Sequence, residues 1–297
     1  MTTTMKTMQM MENEAGVEVE IAPTSKLPGV NVLLMGPSGT GKTHSIGTLV
    51  ETGVEVFYLG LEAGLESLLG YFTDAGKEIP SNLHWHQLDA PKASFTELLD
   101  SARKINTMAL DSLAKMSDPN RSKHNQFLTL LEALNDFPDD RTKGNFGCVD
   151  TWTPSRALVI DGMAGLARAA MSLVIGGKPV RNVSDWGIAQ DQVEKLVRMW
   201  TDNCRCHFIL IAHVERETDA VLGGVKIMVS TLGKALAPKL PAMFSDVILT
   251  VREGSRFTWD TGSALADVKT RNLPISQSLP PDFGAIIEKW KSRGGAL

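Results

Sequence analysis

Residues 33–43 read Leu-Leu-Met-Gly-Pro-Ser-Gly-Thr-Gly-Lys-Thr, and no other stretch restricts the fold of this chain as strongly. The run matches G-x-x-x-x-G-K-[ST] at every fixed position. An apolar, strand-like segment (31–35) precedes it and a helix-compatible segment (43–50) follows it, which a glycine-rich turn with an incidental lysine would not require. The glycines let the backbone turn tightly so that successive N–H groups point inward at an anion, and the following helix adds its positive dipole end. Gly36, Pro37, Ser38, Gly39, Thr40, Gly41, Lys42, Thr43 and His44 are therefore the expected nucleotide-binding segment, with ATP and Mg²⁺ as cofactors. Lys42 would reach the β- and γ-phosphates as a point charge, and Thr43 would give its hydroxyl to the metal.

Composition narrows the setting. A chain of 297 residues, 43% hydrophobic and 22% charged, can bury a sizeable core as one large domain or two small ones. No apolar run is long enough to span a bilayer and the first 20 residues show no cleavable apolar segment, so a cytoplasmic protein without a membrane partner is expected. Three cysteines cannot build a disulfide framework. The net charge of −4 excludes a uniformly basic nucleic-acid binder, but not a local basic patch.

Taken in order, residues 1–26 read as a flexible leader with a short strand at 17–21. Residues 54–59 carry strand chemistry and end at Glu62, on the sheet edge where α/β proteins bind ligands. Residues 83–88 suit another strand, and 95–116 have helical periodicity through Phe95, Leu98, Leu99, Ala102 and Ile105. The signal breaks up over 117–154, which reads as an insertion with one helical piece at 126–134 and turns around Pro119, Pro138 and Gly144. Its cations Arg121, Lys123, Arg141 and Lys143 suit a solvated surface better than a partner. Residues 157–161 are four apolar residues closed by Asp161, the form of a strand-ending Mg²⁺-shell aspartate, although a turn-forming Asp has the same form. A helix over 163–175, a glycine-containing loop, and a helix over 185–203 capped by Ser184 follow. Next come a strand ending at His213, a loop or small hairpin around 222–224, and a strand at 246–251. Segments 256–259 and 266–271 are expected to pair with each other, and 273–297 form a tail with a short helix near 285–290.

Two constellations are set aside. Cys204-x-Cys206-His207 lacks a second pair of cysteines to complete a zinc site, and His84-x-His86 lacks partners.

The order of parts, from phosphate loop through Glu62, Asp161 and His213 to Lys269-Thr270-Arg271, resembles the RecA-like ATPase core. It is most similar to the phage-encoded RecA-like ATP-binding proteins of the recombination and single-strand annealing type. The resemblance covers Leu27 to Arg271 apart from the insertion, and implies a mostly parallel central sheet flanked by helices, with a late antiparallel hairpin. It implies that Glu62 activates the attacking water; an exposed acid favoured by a helix dipole is the alternative. The sequence supports the water-activating role independently, since Gly162 rather than a second acid follows Asp161 and a hydrolase must then find that carboxylate elsewhere. His213 takes the place of a γ-phosphate sensor that is more often a polar amide in the family; a satisfied core histidine is the alternative. The resemblance also implies that Lys269 and Arg271 reach a neighbouring subunit's ATP, in a homo-oligomeric ring or filament. Single-stranded DNA would be bound through loops 176–182, with Lys178 and Arg181, and 216–234, with Lys226; neither loop contains an aromatic residue for stacking. If phage-encoded, the chain would act in the host cytoplasm. Alternatives on the same core are a helicase-like or packaging motor or loader, and an ATP-gated assembly switch with little turnover. A nucleotide kinase is disfavoured because no arginine-rich lid follows Asp161.

Overall fold

The computed structural model describes residues 27–88, 94–116, 121–218 and 223–297. The expected leader strand at 17–21, the turn at Asp118-Pro119-Asn120 and Leu222 of the expected hairpin tip lie outside the described residues.

Short runs rich in Val, Ile, Leu and Phe with no polar alternation form strands buried on both faces. Such runs become β1 (Asn31–Met35), which feeds the phosphate loop and α1 (Lys42–Val50), and β2 (Glu55–Gly60), which feeds α2 (Leu65–Thr73). After β3 (Leu83–Gln87), the expected long helix is broken at Met108–Ala109 into α3 (Phe95–Thr107) and α4 (Leu110–Lys115). Helix α3 is well capped, Ser94 and Glu97 exchanging side-chain to backbone hydrogen bonds, yet it buries none of its residues and its apolar stripe faces solvent. Next come α5 (Gln126–Asn135), β4 (Arg156–Asp161), α6 (Met163–Ile175) and α7 (Val183–Arg198), which runs into a π-helical turn. Helix α7 starts ahead of Ser184 because the Asn182 N–H donates to the Asp185 carboxylate at 2.8 Å, so Asn182 and not Ser184 marks its entry. The chain continues through β5 (His207–Ala212), a two-stranded hairpin of β6 (Val214–Thr218) and β7 (Val225–Val229), and the short α8 (Leu240–Met243). It then forms β8 (Asp246–Glu253), β9 (Arg256–Asp260) and α9 (Phe283–Ser292).

Seven strands form the main sheet in the order β3-β2-β4-β5-β1-β8-β9, all parallel except β9. This is the α/β architecture expected of a RecA-like core, with β5 inserted between the phosphate-loop strand and the strand of Asp161. One expectation fails: 256–260 pair with β8 rather than with 266–271. Residues 266–271 form no strand, and Lys269 makes only an isolated antiparallel bridge to Val247. The late hairpin exists, built from a different partner.

Alternate residues of each strand enter opposite layers. Leu33, Met35, Phe57 and Leu59 pack with α5, α6 and α7, whereas Val32, Leu34, Val56 and Tyr58 pack with α1, α2 and α9. Leu34 and Leu158 are fully buried, so truncating either to Ala would cost roughly 2–5 kcal/mol. Helix α9 joins the second layer through Phe283, Ile286, Ile287 and Trp290, and the Trp290 indole N–H donates to the Pro28 carbonyl at 2.8 Å. No helix among the described residues is long and apolar enough to cross a membrane.

Candidate active site

The phosphate loop turns from β1 into α1 with Gly39 and Gly41 at φ of 73° and 78°, the left-handed region in which a side chain is strained. Its far wall is fastened to β8: Thr40 Oγ1 and Thr250 Oγ1 lie 2.6 Å apart, and Thr250 Oγ1 donates to the Met35 carbonyl. Lys42 folds back over the loop and donates to the carbonyls of Gly36 and Pro37 at 2.8 and 2.7 Å. Burial lowers the Lys42 ammonium to about 8, against the opposing pull of Asp161 and Glu62. A cation held this way lies over the loop, where the glycine-rich motif is expected to meet an anion.

Parallel register brings the remaining chemistry to the same edge. Gly60 stands opposite Asp161 on β4, and the N–H groups of Leu61 and Glu62 both donate to the Asp161 carbonyl. This fixes Glu62 beside the end of β4. Asp161 is buried, and its Oδ2 accepts from Thr43 Oγ1 at 2.7 Å and from the Tyr58 hydroxyl at 2.9 Å. Burial raises the Asp161 carboxyl above the ordinary range and Glu62 adds to the rise, while Thr43, Tyr58 and Lys42 oppose it. The Thr43 hydroxyl and Asp161 carboxylate are hard oxygen donors of the kind that holds Mg²⁺, and a divalent charge there would offset the burial of Asp161.

Glu62 is itself largely enclosed, with its side chain 18% exposed. Its Oε1 accepts from Arg168 Nη2 of α6 at 2.9 Å, and its Oε2 faces His213 Nε2 at 3.7 Å. Gly162 allows this proximity, since a Cβ there would stand 2.5 Å from Glu62 Oε2. Residues 29–273 match the AAA domain family. The chain belongs to that family. No curated protein matches the chain. Solved structures similar to it include the following two. One is an ATPase domain, 12% identical, covering 86% of this chain and 83% of that chain with a TM-score of 0.38. The other is the flagellar accessory protein FlaH from Methanocaldococcus jannaschii, 9% identical, covering 85% and 84% with a TM-score of 0.34.

This AAA domain thus gathers Lys42, Thr43, Glu62, Asp161 and His213 at one sheet edge, but not Lys269 and Arg271. Parallel pairing of Val32 with Asp246 and of Met35 with Leu249 puts the start of β8 at the edge opposite the loop. There the buried Asp246 accepts from the N–H groups of Arg271 and Asn272, from Thr270 Oγ1, Asn272 Nδ2 and Ser245 Oγ. That knot holds residues 269–271 at the edge opposite their own phosphate loop, where Lys269 Nζ donates to the Ala242 carbonyl at 3.3 Å.

Several cations of the two loops expected to meet DNA have partners of their own. Lys226 and Lys234 pair with Asp267 and Glu217 at 2.9 and 2.6 Å. These pairs are solvent-exposed and worth little. Arg181 lies 5.5 Å over the ring of Trp186, an aromatic four residues beyond the loop end that local inspection of the loop misses. Arg168, Arg181, Trp186, Ser230 and Thr231 line one groove of ≈ 370 Å³. Lys178 lines a separate one of ≈ 670 Å³. Tyr58 and Arg168 were also missed. A tyrosine within the apolar run of β2 was the available signal for the first, because a buried hydroxyl needs a partner.

Other candidates are structural. Arg141 donates to the carbonyls of Ile79, Pro80 and Leu83, tying the insertion to the core while staying exposed, as expected of a surface cation. His84 Nδ1 lies 3.0 Å from the Asp139 carboxylate. Cys204 and Cys206 are buried, and burial pushes their thiols up to about 11 and about 12. Among the described residues no group of three or more His, Cys, Asp or Glu is placed to hold a metal by itself, so neither Cys204-x-Cys206-His207 nor His84-x-His86 completes such a set.

Proposed function

We propose that the chain is a Mg²⁺-dependent ATPase, stimulated by single-stranded DNA, that acts in phage-type DNA recombination or single-strand annealing in the host cytoplasm. The convergence of Lys42, Thr43, Asp161 and Glu62 on one edge carries the hydrolase part of this reading. Thr43 and Asp161 would hold the metal, which when bound supplies positive charge against the β- and γ-phosphate oxygens. The loop N–H groups and Lys42 bind and orient the phosphates. Glu62 holds the attacking water and takes its proton on a carboxylate oxygen. His213, whose Nε2 lies 3.7 Å from that carboxylate, would donate to the γ-phosphate. Lys269 and Arg271, remote from their own loop, would serve a neighbouring copy in a ring or filament, as trans fingers do.

Stimulation by DNA draws support from Arg168, which pairs with Glu62 and also lines the groove containing Arg181 and Trp186. An arginine and an indole suit a phosphate backbone and an unstacked base. Phosphates drawing Arg168 away would release Glu62 for catalysis. The same ion pair favours a second reading, an ATP-gated assembly switch with little turnover, if Glu62 stays engaged when DNA is present. Steady-state ATP hydrolysis measured at low salt with and without single-stranded DNA separates them: a rise supports the stimulated ATPase, and a flat, low rate supports the switch.

A further inference from the structure

The two flanks of the phosphate loop differ in chemistry. On one side of β1 lie β5, β4 and β2, whose ends bring His213, Asp161 and Glu62. On the other lies the β8–β9 hairpin, in which Arg252 and Phe257 are direct cross-strand partners. Alternation along β8 puts Arg252 on the same side as Thr250, which already touches the loop through Thr40. The pair stands against the loop: Phe257 Cδ1 is 3.2 Å from where a Cβ on Gly41 would lie, and Arg252 Nη1 is 3.9 Å from the same point on Gly39. The Arg252 guanidinium carbon sits 5.3 Å from the Phe257 ring centre.

Folding does not account for either side chain. Phe257 remains 39% exposed, whereas its neighbours along β9, Thr258 to Asp260, are buried. Arg252 is exposed and spends its Nε on the Gly254 carbonyl at 2.8 Å; among the described residues no carboxylate pairs with it. A flat apolar ring beside an unneutralised guanidinium suits a ligand that combines an aromatic surface with negative charge.

A nucleoside triphosphate is a linear molecule with its γ-phosphate at one end and its base at the other. If the γ end faces Asp161 and Glu62, the base is carried toward the opposite flank. We propose that Arg252 and Phe257 form the nucleoside subsite, Phe257 stacking on the base and Arg252 donating to the ribose or the α-phosphate. This inference rests on the ATPase reading above. Phe257 offers a π-face and no hydrogen-bonding edge, so the subsite accepts adenine and guanine alike.

Calorimetric titration of the full chain with ATP, GTP and inorganic tripolyphosphate, each with Mg²⁺, tests the subsite. Wild-type protein should bind ATP and GTP within a few-fold of each other. In Phe257→Ala both nucleotides should weaken by roughly ten- to hundredfold, the range expected for losing one stacked base, while tripolyphosphate binding is unchanged. In Phe257→Trp nucleotide binding should persist, with indole emission altered by ATP and not by tripolyphosphate. The subsite is overturned if Phe257→Ala binds ATP like wild type, or loses ATP and tripolyphosphate in equal measure. Wild-type protein that binds neither ATP nor tripolyphosphate overturns the ATPase reading along with it.

Discussion

Raising the pH from about 7 to about 9 should weaken nucleotide binding through a single side chain. Lys42 must be charged to hold phosphate oxygens, yet burial lowers it to about 8. At that value about nine in ten Lys42 side chains carry the proton at pH 7 and about one in eleven at pH 9. A bound triphosphate raises the affinity of Lys42 for its proton, so binding is linked to proton uptake, with the full benefit present below about pH 8 and lost above it. Between those two pH values the affinity should fall about tenfold, or about 1.4 kcal/mol. Isothermal titration with ADP or a non-hydrolysable ATP analogue across this range would measure it. Lys42→Arg supplies the control, because a guanidinium does not titrate there and its profile should be flat whatever its absolute affinity. A flat wild-type profile, or an equal slope in Lys42→Arg, would refute the assignment.

Other perturbations follow from the same contacts. Arg168→Ala frees Glu62 from an ion pair whose cation is 65% exposed and therefore weakly held, so basal ATP turnover should rise about two- to fivefold and the further rise with single-stranded DNA should shrink. An unchanged ratio of stimulated to basal rate would count against the link. The Asp139 carboxyl is held down at about 2: burial alone would raise it, but hydrogen bonds from His84, Thr142 and the backbone N–H groups of Arg141 and Trp85 outweigh that. A depressed carboxylate stabilises the fold above its unfolded value near pH 4 and loses that contribution as pH falls toward 2, so Asp139→Asn should cost about 2 kcal/mol at neutral pH in urea unfolding and flatten the acid limb. Mixing Arg271→Ala with Lys42→Ala protein should restore part of the ATPase activity if Arg271 serves the neighbouring copy. A strictly additive mixture of two inactive proteins would argue otherwise.

The contrast between what was legible in the sequence and what was not follows the range of the interactions involved. The phosphate loop is covalently contiguous, and its glycine conformations, lysine and helix start need no distant partner, so residues 36–44 declare themselves. Glu62, Asp161 and His213 were legible because strands of a parallel sheet deliver their ends to one edge whatever the loops between them do. Strand pairing late in the chain was not, since residues 256–260 and 266–271 both carry strand-compatible runs and the choice of β8 as partner is made by tertiary packing. The apolar stripe of α3 announced a helix correctly but not its environment, because periodicity fixes the face and not what covers it. Arg168, Arg252 and Phe257 became visible only once the fold had set them beside residues that lie far away in sequence.

Glu62→Gln tests the centre of the account most directly, with ATP binding and ATP turnover measured on the same preparation. The change keeps the side chain's size and removes its ability to accept a proton. Binding within a few-fold of wild type together with turnover lower by at least about a hundredfold is the predicted result. Turnover equal to wild type would contradict it.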